Sequence, residues 1–260
     1  MPVPRRRPHD VENDEGAPTL GGMRQTTGNP PPSAPAEPET RVDPAVLGAQ
    51  RTHWASTFAA HPDMYGTEPS EPAVAAAELF AERDVRTLAE LGAGQGRDTL
   101  YFARRGIHVT ALDFAPDAVA AIAEKAGAAG LNDRVHARTH DVREAIPLPD
   151  AGVDACYSHM LLCMALTTDE LERLAAELHR VVRPGGLVVY TVRTTADAHF
   201  GAGIPRGDDM YEHGGFIVHF FDQALIDRLA SGFELVDVTT FSEGELPRRL
   251  ARVTMRVPQT

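Results

Sequence analysis

Short apolar runs recur along the chain with longer, helix-period stretches between them. The runs at 86–91, 108–113, 135–140, 153–158 and 187–193 predict buried strands, and 96–105, 116–129 and 169–182 predict helices. Such alternation implies an α/β domain whose parallel sheet is covered on both faces, with right-handed crossovers. Towards the C-terminus the pattern changes to a helix at 222–230 and strands at 233–241 and 250–257. The last two are joined over 242–249 by turn residues without a helix, which predicts an antiparallel hairpin. On the N-terminal side, Asp43 as N-cap and Pro44 at the first helical position predict a helix over 44–58, and a second follows at 71–83. Val46, Leu47, Trp54 and Phe58 give the first of these an imperfect apolar stripe.

Residues 194–221 show no clean period. They carry Gly201, Gly203, Gly207, Gly214 and Gly215 among His199, Asp208, Asp209, Tyr211, His213 and His219. Long loops without structure of their own are usually functional. This one leaves the carboxyl end of the fifth strand, which is the ligand-facing edge of an open α/β sheet. It is read as a substrate lid, with Tyr211 and His213 as acceptor contacts.

Composition narrows the field. The chain has 260 residues, a net charge of −12 and two cysteines. That suffices for one domain with a large core. The acidic balance argues against an electrostatic grip on nucleic acid, so no nucleic-acid partner is expected. Two cysteines exclude a disulfide scaffold and suit a reducing cytoplasm. No apolar run reaches the roughly 18 residues of a membrane span, and the run Arg5–Arg7 has no apolar segment behind it, so neither a membrane nor secretion is expected. Residues 1–44 hold ten of the twenty prolines. Residues 1–42 are therefore expected to be a disordered arm, before a domain at 43–260 with a helical cap at 43–83.

The candidate chemistry lies where the first strand meets its helix. Glu90-Leu-Gly-Ala-Gly-Gln-Gly96 places Gly92, Ala93, Gly94 and Gly96 in a strand–helix turn, and Asp113 ends the second strand about 20 residues on. Glycines there permit a tight turn and close approach of a ligand, and an acid at that tip is placed for ribose hydroxyls. The dinucleotide pattern needs a further glycine where Arg97 stands, and Glu90 would repel a pyrophosphate. It suits a cationic ligand such as S-adenosylmethionine.

At these residues the chain resembles the class I S-adenosylmethionine-dependent methyltransferases. The resemblance runs roughly over 69–257 and adds Val109–Phe114, His140-Asp141-Val142, Val153–His159 and Leu178–Leu187 to the glycine motif. It implies a Rossmann-like doubly wound sheet of seven strands, order 3-2-1-4-5-7-6, with strand 7 antiparallel. It implies that Glu90, Gly92, Ala93, Gly94, Gly96, Arg97, Asp113, Phe114, Asp141, Val142 and Ser158 surround the cofactor, with Asp141 at the adenine amino group, Val142 supplying a backbone amide, and Trp54 and Tyr65 as candidates for lining the site. Arg97-Asp98 and Tyr65–Pro69 are similar to the small-molecule group that includes tellurite-resistance and thiopurine methyltransferases.

The expected reaction is methyl transfer to a small-molecule acceptor by in-line displacement, which asks the protein for alignment and exclusion of water. A base is needed only if the acceptor arrives protonated, and His159, beside the methyl donor, is the candidate. Cys156 and Cys163 keep open a metalloid acceptor. Protein or nucleic-acid methylation is a further alternative, although the position of an Asn/Asp-Pro-Pro-Tyr/Phe motif reads Ser158-His-Met-Leu. His199, His213 and His219 lack helical metal-ligand spacing, and no metal is expected.

Overall fold

The computed structural model describes residues 43–61, 64–244 and 248–259, all within a unit spanning Glu39–Thr260. The expected arm at 1–42 lies outside the described residues. The order along the chain is α1 (Pro44–Ala60), α2 (Glu71–Glu82), β1 (Thr87–Leu91), α3 (Arg97–Arg104), β2 (His108–Asp113), α4 (Pro116–Ala128), β3 (Val135–Thr139), β4 (Val153–His159), α5 (Thr168–Val181) and β5 (Val182–Arg193). Three short strands follow, β6 (Ile204–Gly207), β7 (Met210–His213) and β8 (Phe216–His219). Then come α6 (Gln223–Leu229), β9 (Glu234–Glu243) and β10 (Arg248–Arg256).

Helix starts follow local chemistry. The Asp43 side chain accepts the amide hydrogen of Ala45 at 2.8 Å, with Pro44 next to it. Ser70 caps α2 by accepting from Ala73 N at 3.2 Å. Thr167 and Glu170 form a reciprocal capping box at α5, which supplies two otherwise unpaired amides with acceptors.

The large sheet has the order β3-β2-β1-β4-β5-β10-β9. β1 to β5 pair in parallel, while β10 is antiparallel to both β5 and β9. This is the expected seven-stranded order. β5 begins earlier than the 187–193 run predicts. Val182 leaves α5 directly into extended backbone and pairs with Val153, because Pro184 cannot continue a helix.

Side chains alternate between the two faces. Leu88, Ala155, Tyr157 and Val189 pack under α2, α3 and α4 with Phe80, Phe102 and Ile122. Ala89, Leu91, Cys156 and Val188 pack under α5 and α6 with Leu171, Leu174, Leu178 and Ile226. Phe102 meets Tyr157 edge-to-face at 5.0 Å. Alternation along β1 turns Glu90 to the α3 face, beneath the first turn of that helix.

Residues 194–221 are not the structureless loop their composition suggests. β6, β7 and β8 form a separate three-stranded antiparallel sheet. Its turns are Asp208-Asp209 (φ 50° and 54°) and Gly214-Gly215 (φ 59° and 85°). Two consecutive residues of positive φ are what a two-residue hairpin requires. The strands are only four residues long, too short to show a period.

Candidate active site

The carboxyl ends of β1, β2, β4 and β5 meet along one edge of the sheet. Loop 92–96 folds onto the tip of β2: Gly92 N and Ala93 N donate to the carbonyl of Leu112 at 2.8 and 3.1 Å. Gly92 has φ 68°, and a Cβ there would lie 2.8 Å from Leu161 Cβ, so the loop and the β4 segment leave no room for a side chain. Gly96, at φ 86°, closes the α3–α4 contact, because its Cβ would lie 2.9 Å from Ile122 Cγ1.

Asp113 holds this corner. Its Oδ2 accepts from Gly94 N at 2.8 Å and its Oδ1 from Ala115 N at 2.9 Å. Its peptide oxygen accepts from His140 N at 2.9 Å. Burial raises its pKa, opposed by the backbone bonds from Ala115 and Gly94. A carboxylate offers about four acceptor positions. The two backbone bonds leave it capacity for a pair of ribose hydroxyls.

Glu90 is 3% exposed, and Thr99 Oγ1 donates to its Oε2 at 2.5 Å. Burial, and then the nearby Asp98 carboxylate, push the Glu90 carboxyl well above the ordinary range. A buried acid without a cation is held in its neutral form, and an ammonium beside it would restore the carboxylate. An α-amino group fits this donor set and a phosphate does not, so the residues present suit S-adenosylmethionine. Asp98 is itself fixed by Ser70 N at 2.8 Å, by Ser70 Oγ at 2.6 Å and by Arg97 Nε at 3.2 Å.

The other residues expected around the cofactor take varied roles. Ser158 is buried, and its hydroxyl donates to the carbonyl of Leu91 at 3.1 Å, tying β4 to the end of β1. Phe114 offers its carbonyl to Arg51 Nη2 at 3.4 Å. Asp141 Oδ1 accepts from Arg143 N at 3.1 Å, and the Arg143 guanidinium lies 3.5 Å from both Asp141 and Glu170. The Val142 side chain joins the core. Arg97 donates to the carbonyl of Tyr65 at 3.2 Å, its guanidinium 5.7 Å from the Tyr65 ring.

α1 lies over the glycine loop. Gln95 Nε2 donates to the carbonyls of Phe58 and His61, both at 3.3 Å. Trp54 sits between Phe58 and Phe216, with ring centroids 5.5 and 4.7 Å away. Gln50 clamps the small sheet: its Nε2 donates to Gly215 O at 2.8 Å, and its Oε1 accepts from Ile217 N at 3.1 Å. Tyr65 is exposed at the rim of this corner, and its hydroxyl is raised in pKa by partial burial, against the charges of Arg248 and Arg97.

His159 ends β4. Its Nδ1 is 2.8 Å from Thr191 Oγ1, and its Nε2 is 3.5 Å from Glu243 Oε1. Tyr211 and His213 turn to partners inside the lid. Tyr211 packs edge-on against Phe200 and Phe220, at 5.5 and 6.1 Å, and His213 stacks on His199 at 5.2 Å. His199 Nδ1 accepts from Arg193 Nη2 at 2.8 Å, while Arg193 pairs with Asp197 at 2.5 Å. His219 is buried, its Nδ1 2.8 Å from the carbonyl of Leu166. Among the described residues, no group of three His, Cys, Asp or Glu is arranged to hold a metal ion.

Both cysteines are buried. Burial pushes the Cys163 thiol up to about 12 and raises Cys156 as well, so both are neutral thiols rather than thiolates. The sequence reading did not single out Thr191, Glu243 or Gln50. Each acts on a partner far away in the chain, and none stands in a recognisable motif.

Comparisons with known proteins agree with this geometry. Residues 88–186 match the family model described as a methyltransferase domain. Over that stretch the chain carries a methyltransferase domain. Among curated proteins it is 34% identical over 104 residues to malonyl-[acyl-carrier protein] O-methyltransferase of Serratia marcescens, covering 40% of this chain and 37% of that protein. The chain thus spans under two fifths of that relative's length. In structure it is similar to 1,6-didemethyltoxoflavin-N1-methyltransferase of Burkholderia thailandensis, solved with S-adenosylhomocysteine bound. The TM-score is 0.65 and the identity 21%, over 87% of this chain and 93% of that one. TehB of Haemophilus influenzae also shares the fold, with a TM-score of 0.58 and 16% identity, over 78% of this chain and 67% of that one. No helix among the described residues is long and apolar enough to cross a membrane.

Proposed function

We propose that this chain transfers a methyl group from S-adenosylmethionine to a small-molecule acceptor. The observation that carries the reading is the pairing of Glu90, a buried acid raised by burial and suited to an ammonium, with Asp113, which keeps free acceptor capacity at the β2 tip. The sulfonium supplies an activated methyl group, so the chain itself must bind, align and exclude water. Glu90 would hold the α-amino group and Asp113 the ribose. Asp141 and the Val142 amide would meet the adenine, and Phe114 would pack beside it. α1 and the small sheet would close over the bound pair as cap and lid, with Tyr211 and His213 shaping the acceptor side.

The test is a panel of acceptors with isotope-labelled S-adenosylmethionine, read by mass: phenols, amines, carboxylic acids, thiols and malonyl-acyl carrier protein. The expected result is a labelled methyl on a free small molecule. A label on malonyl-acyl carrier protein alone would move the acceptor to a carrier-bound acid. Calorimetry with NAD bound and S-adenosylmethionine not bound would overturn the reading outright.

A further inference from the structure

The residue that follows β4 has a strained backbone. Met160 stands at φ 64°, in the left-handed region. Glycine is at ease there, and aspartate and asparagine visit it because a short polar side chain can bond locally. A long side chain in that region meets its own carbonyl and is strained. Among the described residues, the other non-glycine positions of positive φ are Asp84, Ala151, Asp208 and Asp209. Met160 alone among them carries a long side chain. The surroundings impose the strain: the Met160 amide donates to both the carbonyl and the hydroxyl of Thr191, at 3.1 and 3.0 Å. Thr191 is fully buried in β5 and cannot give way.

Met160 opens a segment, residues 160–166, that stands between two halves of the candidate site. On one side, the Leu161 side chain lies against Gly92 of the glycine loop. On the other, His219 N donates to the carbonyl of Cys163 at 2.9 Å, and His219 Nδ1 lies 2.8 Å from that of Leu166. Ala165 packs with Met210 and Ile217 of the small sheet and with Val46 of α1. The segment is therefore a partition, with the glycine loop on one face and lid and cap on the other. Met160 is half-buried at its start, with Sδ 3.9 Å from Cys163 Sγ.

Reversing the chain at this point needs only a residue that accepts positive φ, and glycine or asparagine would do so without strain. Strain kept beside a binding site points to a demand on the side chain itself. A thioether is flexible, polarizable and apolar, and its sulfur packs well against aromatic rings.

We infer that Met160 is a specificity-determining residue: its strained backbone presents the side chain from the partition to the acceptor, and the acceptor carries an aromatic group next to the atom that takes the methyl. The inference rests on the methyltransferase reading above. Met160 takes no part in bond making. It packs on the acceptor ring and so fixes how the reacting atom faces the methyl donor.

The first experiment measures melting temperatures of the full chain with Ala or Gly at this position. At an ordinary loop position Met160→Gly would be no more stable than Met160→Ala, since glycine frees the unfolded chain. Here Met160→Gly should melt about 2 °C or more above Met160→Ala. Equal or reversed melting temperatures would remove the strain and overturn the inference.

The second experiment compares aromatic and aliphatic members of the acceptor class found with the panel above. Met160→Ala and Met160→Gly should both lower kcat/KM for the aromatic members by about tenfold or more. Aliphatic acceptors and S-adenosylhomocysteine affinity should stay within about twofold. Met160→Leu, similar in volume, should keep most of the rate. A merely structural residue would make activity follow melting temperature, with Met160→Gly the more active of the two small variants. That order, or an unchanged ratio of aromatic to aliphatic acceptors, would overturn the inference. Methylation confined to aliphatic acceptors, malonyl-acyl carrier protein included, would do the same and leave the methyltransferase reading intact. Failure to bind S-adenosylmethionine would instead overturn the methyltransferase reading.

Discussion

Asp113 accepts the amide hydrogen of Gly94 at 2.8 Å, so the acid that ends β2 also shapes the loop that leaves β1. One carboxylate thereby builds the corner, and under the proposed function it also meets the ribose of the cofactor. Asp113→Ala should weaken S-adenosylmethionine and S-adenosylhomocysteine alike by about tenfold to a hundredfold, since hydrogen bonds to a charged acceptor are each worth roughly 1.5–3 kcal/mol. Asp113→Asn, which keeps one acceptor oxygen, should fall between. Titration calorimetry showing unchanged affinity would remove Asp113 from the site.

Binding should release protons from Glu90. Its pKa is raised in the free chain, first by burial, so below that raised value the group is neutral and must ionise to meet an ammonium. Affinity should therefore climb as pH rises from the ordinary glutamate range, near 4.5, and level off above the raised value. Calorimetry in phosphate and Tris at the same pH should give different heats, the difference reporting the released proton. In Glu90→Gln the two buffers should agree and the affinity should be lower.

Asp154 carries stability with the opposite sign. Burial of this side chain, only 18% exposed, is outweighed by Arg183 Nε at 2.6 Å and the amides of Arg86 and Thr87, and its pKa falls to about 2 from 3.8. Its contribution is present above the unfolded value and is lost as pH drops from about 4 towards 2. The shift corresponds to roughly 2 kcal/mol. Asp154→Asn should lower the unfolding free energy in urea by about that amount at pH 7, and the difference should shrink towards zero near pH 2.

Gln50 should govern opening of the cap. Gln50→Ala removes the partners of the Gly215 carbonyl and the Ile217 amide. A lost partner at a buried group costs about 1–3 kcal/mol, here against local opening. Amide exchange over 215–217 should speed up about tenfold or more while exchange in β1 and β4 stays the same. A uniform change across the domain would mean that Gln50 supports the whole fold rather than the cap.

The sheet and the corner that loop 92–96 makes with Asp113 were legible because their signals are local. The glycines, Glu90 and Asp113 stand at strand ends that apolar runs mark directly, and their hydrogen bonds span one βαβ unit. The lid was only half legible. Asp208-Asp209 and Gly214-Gly215 are hairpin turn pairs, but four-residue strands between them carry too few positions for alternation to show. Glu243 could not be read at all. It reaches His159 only because β10 lies between β9 and β5, a relation set by the whole sheet and not by any stretch of chain. Tyr211 and His213 stand out in the sequence for their polar chemistry, whereas their ring packing against Phe200, Phe220 and His199 depends on the fold of the small sheet.

β10 comes after β9 in the chain yet lies between β9 and β5 in the sheet. As the chain emerges, the edge of β5, with Val188, Val189, Tyr190 and Val192 all destined for burial, stays unpaired until Arg248–Arg256 arrives. Pairing of that kind spans long loops and is slow, and an open apolar edge is prone to capture by other chains. The last strand therefore acts as a keystone in time as well as in space: a ribosome stalled before it would hold out five parallel strands and one adhesive edge, and a chaperone that shields β5 would matter more for this protein's yield than for its final stability.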